Sequence, residues 1–66
     1  MENDKLILVR SRAYDLADTG RFKHWNQIAS ALEREGVLLS LIETLGADKL
    51  AVMMITRSCD QARARH

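Results

Sequence analysis

Proline is absent from this chain, cysteine occurs once, at Cys59, and glycine occurs only at 20, 36 and 46. A single cysteine excludes an internal disulfide and fits a reducing, cytoplasmic setting better than a secreted one. With one Cys and two His, at 24 and 66, the chain also lacks the four closely spaced ligands of a structural zinc site. Scattered glycines leave no phosphate loop, no dinucleotide fingerprint and no serine elbow. Charge of one sign is lacking too: ten Lys and Arg against nine Asp and Glu give a formal net charge of +1. No global field therefore draws the protein toward nucleic acid or an anionic membrane.

Long uninterrupted hydrophobic runs are missing as well. The opening MENDKLILVR has four apolar residues in a row and no basic start, so it does not read as a signal peptide. Between Val37 and Ile55, 13 of 19 residues are apolar, yet Glu43, Asp48 and Lys49 fall inside that stretch. Carrying such charges into hydrocarbon costs about 2.5 kcal/mol or more each. The expectation is a soluble chain without a membrane partner.

Sixty-six residues make one domain, and a chain of this length buries only ~60% of the surface it exposes when unfolded. Small scaffolds compensate with disulfides, a metal or association. The composition leaves association.

Helical periodicity organises the sequence into four segments, at about 4–19, 23–35, 37–45 and 48–63. In the first, Asn3 or Asp4 is a candidate cap and Leu6, Val9, Ala13, Leu16 and Ala17 form an apolar stripe. The three glycines fall between segments, where tolerance of positive φ lets a helix end. Trp25, Ile28, Ala29 and Leu32 give the second its stripe, with Phe22 as an apolar anchor before it; Thr19 is a candidate cap. Asp48 is the candidate cap of the fourth, in which Ala51, Ile55, Cys59 and Ala62 continue one face. The fold class that follows is all-α, a compact bundle of three to four short helices that self-associates.

Candidate chemistry is sparse. On the stripe with Ala51, Ile55 and Ala62, Cys59 reads as a small buried side chain rather than a nucleophile, because no His adjoins it. His24 has no carboxylate at fixed spacing to orient it, and Glu33 and Glu35, two apart on a helix, point away from each other. Glu43, Asp60 with Arg57 and Asp18 with Arg21 read as ordinary solvated charge. These observations assign no enzyme activity, no catalytic residue, no metal and no cofactor.

The apolar excess carries more information. Val37, Leu38, Leu39, Leu41, Ile42 and Leu45 leave the third segment apolar nearly all round, and Leu50, Met53 and Met54 extend the excess into the fourth. Such a surface fits a second copy of the chain, a homodimer in which one patch covers itself. The Met53-Met54 pair also suits a groove for another protein's helix. The function expected is a non-catalytic interaction or regulatory protein.

A nucleic-acid reading stands as the alternative. Helices joined by glycine turns outline a helix-turn-helix, with 25–35 as the first motif helix and 37–45 as the recognition helix. That recognition helix offers Ser40, Thr44 and a repelling Glu43 where Arg, Lys, Asn or Gln would read bases. What survives is a transcriptional regulator contacting phosphates through Arg21, Lys23, Arg57, Arg63 and Arg65.

The order Leu16-Ala17, Gly20, Trp25-x-x-Ile28, Leu32, Gly36 and Cys59-x-x-Ala62 resembles small uncharacterised helical proteins of proteobacteria, over most of residues 13–63. That resemblance implies an all-helical fold and a bacterial cytoplasmic setting, and it brings no activity or catalytic residue.

Overall fold

The computed structural model describes residues 4–65; Asn3, one of the two candidate caps, and His66 lie outside them. Four helices follow one another: α1 (Asp4–Ala17), α2 (Trp25–Arg34), α3 (Leu39–Gly46) and α4 (Lys49–Arg65). Each packs against the other three, with no strand among the described residues, and the all-α bundle expected from periodicity is the observed fold.

The helix ends explain where the chain turns. Thr19 does not cap α2. Its hydroxyl donates to the Leu16 carbonyl at 2.6 Å and accepts from the Arg21 N–H at 3.2 Å, closing α1 two residues earlier than the sequence pattern suggests. Gly20, at φ 77°, then reverses the chain. His24 is the extended residue before α2 and makes no side-chain cap. Gln27 compensates from inside the first turn, its Oε1 accepting the Lys23 N–H at 2.6 Å.

At the far end of α2, the Val37 N–H reaches the Leu32 carbonyl at 3.1 Å and the Gly36 N–H reaches Glu33 at 3.0 Å. This Schellman pair needs a left-handed residue between helix and exit, and Gly36 supplies it at φ 90°. Because Leu38 is held extended as the residue before α3, that helix begins at Leu39, two positions later than the apolar run implies. Gly46 is not at positive φ. An added Cβ there would stand 3.0 Å from Trp25 Nε1, so close approach of the indole explains this glycine. Asp48 caps α4 as expected, Oδ1 accepting the N–H groups of Leu50 and Ala51 at 3.1 Å each. The helix then runs to Arg65, two residues past the expected end.

The core gathers one face of every helix: Val9, Leu16, Ile28, Leu32, Ile42, Leu45 and Ile55 are its large members, and Ala13, Ala17, Ala51, Cys59 and Ala62 its small ones. Tyr14, Phe22 and Trp25 are half-buried at its edge, so the aromatics flank the interior rather than fill it. No buried side-chain N or O among the described residues lacks a hydrogen-bond partner.

Leu32→Ala should cost about 2–5 kcal/mol in urea unfolding, the range for truncating a fully enclosed Leu. Gly36→Ala meets no atom within 4 Å. Its cost is backbone strain alone, about 1–2 kcal/mol. A neutral Gly36→Ala would show that the turn does not hold its left-handed form in solution.

Candidate interaction surface

Helix α4 divides its apolar residues between two faces. Ala51, Ile55, Cys59 and Ala62 point into the bundle, and Leu50, Met53 and Met54, at spacings of three and four, point out at 64%, 52% and 40% exposure. The outward stripe lasts little more than one turn and becomes polar at Arg57 and Gln61. Leu38 and Leu39, entering α3, are 60% and 53% exposed. Five of the nine residues proposed from sequence as a partner surface therefore stand open.

The other four do not. Ile42 and Leu45 are buried in the chain's own core, and Val37 and Leu41 pack half-buried against it. A helix of eight residues apolar on most sides still turns one stripe inward, and 42 and 45 take it. Sequence reading missed two further open residues. Ile7 and Leu8 on α1 are 59% and 69% exposed, because the stripe through Val9, Ala13 and Leu16 leaves them on the opposite side. The unbroken run Leu6 to Val9 was the available signal, since a helix cannot bury four consecutive residues on one face.

The geometry ties α1 to α4. Arg10 and Tyr14 share a small groove of about 150 Å³ with Asp48, Leu50 and Met54. Farther along, Asp18 accepts a hydrogen bond from Arg65. The two helices thus run in the same sense, and Leu50 and Met54 border the flank of α1.

The basic residues separate into engaged and unengaged groups. Arg63 pairs with Asp60 at 3.2 Å, and Arg65 with Asp18. These replace the pairings Asp60 with Arg57 and Asp18 with Arg21 expected from sequence proximity: Arg57 and Arg63 both lie three residues from Asp60 on α4 and Arg63 is the one that reaches it, while the tertiary fold delivers Arg65 to Asp18. Arg21, Lys23 and Arg57 are exposed and form no ion pair among the described residues. Because Arg65 reaches Asp18, the C-terminal end of α4 sits at the same end of the bundle as the 21–24 segment.

Arg12 clamps Glu35 in a two-bond fork, Nε to Oε1 at 2.9 Å and the terminal nitrogen to Oε2 at 2.7 Å. These hydrogen bonds hold the Glu35 carboxyl below its ordinary range, with partial desolvation opposing them, and raise the Arg12 guanidinium. Cys59 is fully enclosed, and burial followed by the Asp60 charge pushes its thiol up, away from the reactive thiolate. His24, Glu33 and Glu43 are exposed, and none of the three forms an ion pair among the described residues. No cluster of three or more His, Cys, Asp or Glu that could hold a metal occurs among the described residues. Nor is any described helix long and apolar enough to cross a membrane.

No family model, no curated protein and no solved structure matches the chain.

A lowered carboxyl value means that the Arg12–Glu35 contribution is complete above the ordinary carboxylate titration near pH 4.5 and is lost as the pH falls through the lowered folded value. Arg12→Ala should reduce the urea midpoint slightly at about pH 7 and by less at about pH 2, as Glu35 becomes protonated. An equal reduction at both pH values would assign the effect to packing of the Arg12 stem.

Proposed function

We propose that the chain is a non-catalytic interaction protein that acts as a homodimer, closing the open apolar face of α1, the α3 entrance and α4 against a second copy of itself. One observation carries this reading: Ile7, Leu8, Leu38, Leu39, Leu50, Met53 and Met54 stand open, as many large apolar side chains as the whole core encloses. Moving each from water into a packed interface contributes up to about 1.5–3 kcal/mol. Monomers of this size rarely leave so much apolar surface uncovered. A self-complementary patch on a two-fold axis is the simplest closure. The bacterial cytoplasmic setting belongs to the same proposal, supported by a lone cysteine kept as a thiol in the core.

Light scattering on a sizing column should report twice the 7.5 kDa chain mass. Leu50→Glu combined with Met53→Lys should return one chain mass with helical circular dichroism retained, because both positions lie outside the monomer core. Leu41→Glu should instead unfold the chain, since Leu41 packs against that core. A wild-type protein that stays monomeric at about 1 mM would overturn the reading, because it would place any self-affinity weaker than about −4 kcal/mol.

A further inference from the structure

Helix α2 carries none of the open apolar residues. Its outward stripe is Gln27, Ser30, Ala31 and Arg34, at spacings of three, four and seven, and beside it the segment leaving α1 lays down Arg21 and Phe22. Together these six line a cleft of about 340 Å³. Its volume sits at the small end of ligand pockets, about 300–1,000 Å³, the scale of a small molecule rather than of a protein segment.

The chemistry of the lining is one-sided. Neither Arg21 nor Arg34 forms an ion pair among the described residues, although Arg12, Arg63 and Arg65 all do. No Asp or Glu lines the cleft. The Gln27 carbonyl oxygen accepts the Lys23 N–H at 2.6 Å, which ties down the side chain, and its NH₂ group makes no hydrogen bond among the described residues. Ser30 adds a hydroxyl. Two guanidiniums, an amide NH₂ and a hydroxyl make a site rich in donors, with two positive charges and no internal counter-charge.

Phe22 supplies the other half. It is half-buried, packed against the core and part of the lining, and Ala31 beside it adds only a methyl group. Such a site selects an anion on an apolar or aromatic body. A phosphate monoester carries about −1.5 to −2 charge and three acceptor oxygens, which match two guanidinium forks; a carboxylate would leave one cation uncompensated. A flat ring attached to that phosphate would stack on Phe22.

We propose that this cleft binds a free mononucleotide, its phosphate between Arg21 and Arg34 and its base on Phe22. The site lies apart from the self-association face and stands or falls independently of it.

The test is a ¹H–¹⁵N NMR titration with adenosine 5′-monophosphate in about 50 mM salt, where phosphate contacts are strong. The nucleotide should shift the backbone signals of Phe22, Ser30 and Ala31 and saturate. Adenosine alone should leave them in place. Inorganic phosphate should bind at the same signals but roughly tenfold or more weakly, the factor lost with one base–aromatic stack. Arg21→Ala and Arg34→Ala, both at exposed positions, should each weaken nucleotide binding by roughly tenfold or more, as loss of a charged hydrogen bond does. Phe22→Leu should bring the nucleotide down to the level of inorganic phosphate; if that variant fails to fold, the two arginine variants decide. Absence of saturable shifts up to about 10 mM nucleotide, well past a millimolar dissociation constant, would overturn the proposal. So would shifts that survive both arginine substitutions. A thymidine decamer without terminal phosphate that binds through the same signals more tightly than the nucleotide would also overturn it, assigning the cleft to a single strand.

Discussion

α1 and α4 make the most extensive helix pair in the bundle, and both turn small side chains into the core. Ala13 and Ala17 come from one helix and Ala51, Cys59 and Ala62 from the other, all nearly or fully enclosed. Small residues on both sides let two backbones approach closely, and close approach leaves no slot for anything longer. Everything large on those helices is therefore sorted to one flank or the other. Val9, Leu16 and Ile55 reach inward to meet Ile28, Leu32 and Leu45, while Ile7, Leu8, Leu50, Met53 and Met54 are turned out. The thin interior and the open apolar surface are thus one fact seen from two sides.

Charge does little to hold the bundle but does much to register it. The Arg12–Glu35 fork joins the middle of α1 to the end of α2 across 23 residues, and the Arg65–Asp18 contact joins the end of α4 to the end of α1 across 47. All four partners are substantially exposed, so water screens their attraction and each pair adds little stability. Their geometry still discriminates. A four-helix chain whose core is mostly methyl groups can slide, and a bidentate fork at the middle of α1 with an ion pair just past its end marks one alignment of α1 with its neighbours.

Local rules were legible in the sequence and tertiary choices were not. The Asp48 cap, the Gly36 exit and the stripes through Ala13 and Leu16 or Ile28 and Leu32 depend on neighbours within a turn, and their spacing announces them. An element that is apolar almost all round carries no such signal. In Val37 to Leu45, six apolar positions compete for one inward stripe, and the extended Leu38 decides in favour of Ile42 and Leu45 by setting where α3 begins. The same holds for Ile7 and Leu8, two members of a four-residue run in which the helix could choose only its neighbours. Ion pairs failed for a related reason: spacing of three on α4 allows Asp60 either Arg57 or Arg63 and does not choose between them, and the return of α4 supplied Arg65 to Asp18 in place of Arg21. Those exchanges left Arg21 and Arg57 without carboxylates, which no local pattern could have shown.

Surface chemistry is distributed unevenly over the helices. α1, α4 and the entrance to α3 hold the open Leu, Ile and Met side chains; α2 exposes Asn26, Gln27, Ser30, Glu33 and Arg34 and no large apolar group. If apolar excess were only the residue of a poorly filled core, it would fall on all four helices in proportion to their length. It does not. α2 has the strongest division between inward and outward faces of the four, with Ile28 and Leu32 fully enclosed and a polar outer side. A helix so arranged is finished with respect to packing. Its outer surface lines the cationic cleft, which shares no residue with the open Leu, Ile and Met side chains of the other helices.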